Sequence, residues 1–329
     1  MVPMNILSPA RRGIAAAAAL SLAGVSLAAC STDSTPADGT NTGQTGETLS
    51  VAASFYPIQY LTEAVGGDHV DVTSVTPTNV EPHDYELAPK DVTALSATNL
   101  VVYVAGFQPS LDDALAEVSG PTVLELSATV DLVHHDGVAH DHDEDTEDTE
   151  EEADHDAAES TDPHFWLDPV RMQAAAQAIE TALAQADPDH AADYEANLAT
   201  LTDTLEGLDA DYSNGLAQCE RTTFVTAHSA FGYLADRYGL TQASVSGLDP
   251  ESEPSPSELA AVKKIVEETG TTTIFTEELV SPKTAEALAA ETGATTAVLN
   301  PIESAPASGD YAGAMTTNLE ELRTALSCE

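Results

Sequence analysis

Ten of the 329 residues are histidine, and their placement is uneven. Five of them, His134, His135, His140, His142 and His155, crowd into one acidic segment, whereas His83, His164 and His228 each stand in a short stretch of unusual make-up. His83 lies in Glu81-Pro82-His83-Asp84-Tyr85-Glu86, a polar loop that follows a strand-like run. His164 lies in Asp162-Pro163-His164-Phe165-Trp166-Leu167-Asp168-Pro169, a turn bounded by prolines and carrying the only tryptophan. His228 closes the apolar run Phe224-Val225-Thr226-Ala227, where Ser229 and Ala230 can open a helix. Singly, each histidine fits a capping or surface role. Jointly they suggest a metal site, because imidazole suits zinc, copper, iron or nickel, and three imidazoles with one carboxylate close a tetrahedron. A closed site leaves no coordination position for a substrate, so it binds rather than catalyses.

Such a site needs elements that bring distant histidines together. Apolar, β-rich runs alternate with helical stretches in two blocks, a pattern of α/β units with mainly parallel sheets. The strand-like runs are Leu49–Phe55, Val70–Thr76, Leu100–Gly106 and Thr122–Leu126 in the first block, and Thr222–Ala227, Gln242–Gly247, Thr272–Thr276 and Thr295–Asn300 in the second. Four strands in each block predict two similar lobes. In such sheets ligands sit beyond the carboxyl ends of the strands, which suits His83 and His228 if the lobes face one another. Between the blocks, Tyr194, Leu198, Leu201, Leu205, Leu208 and Tyr212 recur at alternating steps of four and three. That period marks one face of a long helix, expected over 188–217, which could act as a rigid spine between the lobes or belong to one of them. A second helix is expected over Pro169–Ala186, punctuated by Asp187-Pro188-Asp189. The expected division is an export segment at 1–29, a tether at 30–47, a first lobe at 48–187, the linking helix, and a second lobe at 218–329.

Composition narrows the partners. With 10 Lys+Arg against 56 Asp+Glu the formal net charge is −46, so nucleic acid and anionic membrane surfaces would repel the chain. Aromatic residues make up only 5% of the sequence, leaving little for stacking platforms. The segment 134–162 is acidic, histidine-rich and nearly free of apolar residues, so it cannot pack a core and is expected to be disordered, either as a plain solvated linker or as a low-affinity zinc collector. No H-E-x-x-H, G-x-S-x-G or glycine-rich phosphate loop occurs, so no enzymatic activity is expected.

At the N-terminus, Arg11 and Arg12 precede an Ala-rich run from Gly13 to Ala29, the layout of a secretory signal. The run ends Leu27-Ala28-Ala29-Cys30, which resembles the bacterial lipoprotein box, in which cleavage leaves the cysteine as the acylated N-terminus. An ordinary signal peptide with a chance cysteine is the alternative. Ser31–Glu47 is small and polar, a tether of about 20–25 Å reach. Outside the cytoplasm paired thiols oxidise, and with Cys30 lipidated only Cys219 and Cys328 remain; a disulfide between them is the economical expectation, two separate buried thiols the alternative.

Five segments carry a family resemblance: FYPIQYLTEAVGG (Phe55–Gly67), EPHDYELAPKDVTAL (Glu81–Leu95), DPHFWLDPVRM (Asp162–Met172), TAHSAFGYLADRYGL (Thr226–Leu240) and PSPSELAAVKK (Pro254–Lys264). In this order they resemble the zinc/manganese solute-binding lipoproteins of bacterial ABC importers. The resemblance implies two α/β lobes joined by one long helix, with a single metal in the cleft between them. It carries His83, His164 and His228 over as ligands, with Glu303 as the fourth and Glu277 or water as competitors. Manganese-type relatives typically have a carboxylate at the position of His228, so histidine here implies the zinc branch, as does the acidic histidine-rich insertion. Glu81, Asp84 and Asp168 are candidates for carboxylates that orient the imidazoles. The implied role is capture of extracytoplasmic Zn²⁺ by a monomer, lipid-anchored through Cys30 at the cell surface or in the periplasm, and delivery to an ABC permease. A manganese receptor and a surface adhesin are the alternatives within the family. Because ligating imidazoles must be neutral, affinity is expected to fall as the pH drops through about 6.5.

Overall fold

A computed structural model describes residues 48–135 and 161–329, all within one compact unit, Gly46–Glu329. The export segment, Cys30 with its lipobox, the tether and most of the histidine-rich segment lie outside the described residues.

The first lobe runs β1 (Leu49–Ala53), α1 (Tyr56–Gly66), β2 (Val70–Ser74), α2 (Pro89–Leu95), β3 (Leu100–Tyr103), α3 (Pro109–Glu117), β4 (Thr122–Glu125) and α4 (Ser127–Val130). Next come α5 (Pro169–Ala186) and α6 (Ala191–Gly215). The second lobe runs β5 (Thr223–Thr226), α7 (Gly232–Tyr238), β6 (Thr241–Ser244), α8 (Pro256–Thr269), β7 (Thr273–Thr276), α9 (Lys283–Thr292), β8 (Thr295–Val298) and α10 (Tyr311–Leu326). The sheets are wholly parallel and share one topology, β2-β1-β3-β4 and β6-β5-β7-β8. All eight expected strands are present, most of them shorter at the carboxyl end, because the chain there leaves the sheet to build the loops of the cleft.

Local chemistry sets the helix starts. Asp168 caps α5 by accepting from Val170 N at 2.9 Å, with Pro169 already at the φ a helix requires. Ser255 and Glu258 form a reciprocal capping box at α8. In α6 the six residues at steps of four and three are the buried ones, and they lie against α5 and α1 of the first lobe and α10 of the second. Tyr212 adds a direct bond to the second lobe, its hydroxyl donating to Met315 O at 2.7 Å. One continuous apolar core therefore includes Val51, Ile58 and Val102 on one side and Phe224, Phe231 and Met315 on the other. Cys219 and Cys328 form a disulfide that fastens the C-terminus to the chain leaving α6.

Candidate metal centre

Each of the four ligand candidates reaches the cleft from a different loop. His83 stands in the long connection between β2 and α2, His164 in the turn that leads into α5, His228 two residues beyond β5, and Glu303 five residues beyond β8. The order β6-β5-β7-β8 puts a topological switch between β5 and β7, and His228 and Glu277 emerge there side by side.

The donor atoms are His Nε2 on all three rings and one Glu303 oxygen, and all four lie within 4.8 Å of one another. His164 Nε2 is 3.2 Å from His83 Nε2 and 3.3 Å from His228 Nε2. Glu303 Oε1 is 3.4 Å from His83, 3.4 Å from His164 and 3.6 Å from His228. A tetrahedron with zinc–ligand bonds of about 2.0–2.1 Å has edges of about 3.3–3.4 Å, so these five edges match it closely. His164 and His228 are fully buried and Glu303 is 3% exposed.

Ring orientation strengthens the case. His164 Nδ1 donates to Asp162 Oδ1 at 2.7 Å, and His228 Nδ1 donates to Glu277 at 2.7 and 2.8 Å. Carboxylates only accept, so both rings carry their proton on Nδ1 and, when neutral, turn a lone pair inward from Nε2. Two inward lone pairs and the Glu303 carboxylate then meet at the centre of the cleft, an arrangement that a proton or a cation satisfies.

The four groups also shift one another's affinity for protons. Burial works against a charge on His228, but Glu277 and then Glu303 outweigh it and hold the imidazole up at about 10. Burial likewise opposes charge on His164, yet Asp162 raises its pKa above the ordinary value. For His83 burial prevails over Glu303 and the pKa falls. Burial would raise Glu303, but hydrogen bonds from the three imidazoles keep it ionised well below the usual carboxylate range.

The loop that presents Glu303 is held in an unusual shape. Ile302 has φ 59°, a region that β-branched residues avoid. Asn300 Oδ1 accepts from Ile302 N at 2.7 Å, Asn318 brackets Asn300 through its N–H and its carbonyl, and Trp166 Nε1 donates to Pro301 O at 2.7 Å. The sole tryptophan thus ties the turn of His164 to the loop of Glu303.

The structure brings His83, His164, His228 and Glu303 together. It gives Glu277 another part: both its oxygens face His228 Nδ1, so it orients that ring. The carboxylates expected to orient imidazoles are also reassigned. Glu81 accepts the backbone N–H of His83, Asp84 is exposed, and Asp168 caps α5 and pairs with Arg237 at 2.5 Å. The residues that do so are Asp162, which the spacing Asp-x-His could have flagged, and Glu277, which only the adjacency of β5 and β7 reveals.

Fold and centre together are those of a two-lobed protein whose cleft gathers three imidazoles and a carboxylate that could hold a metal ion. Residues 51–325 match the family described as zinc-uptake complex component A, periplasmic, and the chain belongs to that family. It is 34% identical over 285 residues to the zinc-binding protein AdcA of Streptococcus pyogenes serotype M3, covering 84% of this chain but 55% of that relative, so it spans about half of the relative's length. It is 33% identical over 315 residues to the high-affinity zinc uptake system protein ZnuA of Bacillus subtilis strain 168, covering 91% and 93% of the two chains. Among solved structures, the laminin-binding protein Lbp of Streptococcus pyogenes superposes with a TM-score of 0.72 at 33% identity, over 84% of this chain and 99% of that one.

Proposed function

We propose that the protein is the zinc-binding component of a bacterial import system: it captures one Zn²⁺ outside the cytoplasm and passes it to a membrane permease. The observation that carries this reading is the set of four donors, three of them buried, at zinc-tetrahedral spacing, with two imidazoles already locked in the ligating tautomer. Three nitrogens and one oxygen favour zinc over manganese, which prefers oxygen donors. With all four positions filled from the protein, zinc is held as cargo, in keeping with a receptor and not an enzyme. Lipid attachment at Cys30, action as a monomer and an ABC permease as partner belong to the same reading; the lipobox and the family support the first and the last.

Binding exchanges a proton for the metal. In the metal-free centre His228 is charged and faces Glu303; arriving Zn²⁺ displaces the Nε2 proton, and Glu277 keeps the ring aimed while it does so. The test is a competitive zinc titration of the protein beside His228→Ala and Glu303→Ala. One tight zinc per chain, weakened strongly by the first change and moderately by the second, is the expected result. A tight site indifferent to His228→Ala would move the metal elsewhere and remove the main support for the reading.

A further inference from the structure

We infer that His135 is a positioning residue for the metal centre: it clamps the second oxygen of Asp162 so that the first keeps the His164 ring aimed into the cleft. The inference rests on the zinc reading above and names a residue outside the ligand set and its direct partners.

Asp162 is fully buried, and its two oxygens are divided between two tasks. Oδ1 accepts from His164, from the backbone N at 2.9 Å and from Nδ1 at 2.7 Å. Oδ2 accepts from His135 Nδ1 at 2.6 Å. The other nitrogen of His135 meets Asp236 Oδ2 of α7 at 3.0 Å, and its ring stands edge-on to Tyr233 at 4.6 Å between centroids. A Cβ at position 232 would lie 2.5 Å from the imidazole, so Gly232 leaves the room in which the ring is seated. The backbone beneath is fastened too: Asp162 N donates to Val133 O at 2.8 Å, and the Tyr233 hydroxyl accepts from Val133 N at 2.9 Å and donates to Asp162 O at 2.6 Å.

A line of bonds therefore runs from Asp236 through His135 and Asp162 to the ligand His164. It ties a ligand carried by the first lobe to α7 of the second. A buried carboxylate that loses the donor on one oxygen gains a reason to rotate, because an unpartnered buried acceptor is costly. Rotation would take Oδ1 away from His164 Nδ1 and release the tautomer on which ligation depends. His135 also balances charge: burial opposes a proton on it, but Asp162 and Asp236 raise its pKa above the ordinary value.

The test compares zinc affinity, by chelator competition, of the protein with His135→Leu, which removes the donor, and His135→Asn, whose amide nitrogen stands where Nδ1 stood. Losing the direct partner of a ligand costs about 10–100-fold in affinity; one bond further out, His135→Leu is expected to weaken zinc about 3–10-fold and His135→Asn to restore most of it. In an Asp162→Asn background His135→Leu should add little, since the effect passes through Asp162. Unchanged affinity in His135→Leu, even with a lowered melting temperature, would reduce His135 to a packing residue and overturn the inference. So would an equal loss in the Asp162→Asn background. A parent protein that binds no zinc tightly overturns the zinc reading, and this inference with it.

Discussion

Zinc binding should be strongly pH-dependent well above the range in which free histidine titrates. His228 is held at about 10 in the metal-free protein, with burial opposing the charge and Glu277 and Glu303 imposing it. Zinc must displace that proton, so the apparent affinity at pH 7 is reduced about 10³-fold from its limiting value, a factor of ten for each pH unit below the pKa. The sequence alone places the fall below about pH 6.5, the ordinary imidazole range. The structure places it higher, and His164, also raised, adds to the dependence. Calorimetry in buffers of differing ionisation enthalpy should therefore find about one proton released per zinc at pH 8, and chelator competition should find affinity rising about tenfold from pH 7 to pH 8. Glu277→Gln keeps an acceptor for Nδ1 but removes the charge that supports the proton, so both effects should shrink. Zinc binding at pH 8 without proton release, or affinity flat between pH 7 and pH 9, would refute the proton-for-metal exchange.

Stability of the metal-free protein should follow the same groups. His228 is raised, so its contribution is complete below about pH 6.5 and is lost as the pH climbs toward 10, whereas Glu303 is depressed, so its contribution is present above about pH 4.5 and is lost on acidification. Thermal melts of metal-free protein should peak between those limits, with zinc reversing the loss on the alkaline side. Trp166 is the only tryptophan and its ring centroid lies 5.0 Å from that of His164, so its emission should change on zinc addition with a break at one equivalent, absent in Trp166→Phe. Deleting Asp136–Glu159 should lower the total zinc bound at high concentration while leaving the tight site intact, as metal analysis can check. Breaking the Cys219–Cys328 disulfide, which spans 109 residues of sequence, should cost about 2–5 kcal/mol in a denaturant melt.

The elements, and the chemistry they carry, are written locally in the chain. Alternation of β-rich and helical runs foretold both four-stranded sheets, and the step pattern from Tyr194 to Tyr212 foretold the buried face of α6, because periodicity is a local property that burial merely selects. His83, His164, His228 and Glu303 could be singled out because their flanking motifs resemble those of a known family, and the structure brings the four together. Packing settled the rest. That Glu277 orients His228 depends on β5 lying next to β7, and that Asp162 serves two histidines depends on α7 seating His135 above it. That the centre could hold a metal depends on three imidazoles and a carboxylate converging from four separate loops. Distances between residues far apart in sequence are set by how the lobes and helices pack, and no single stretch of the chain encodes them.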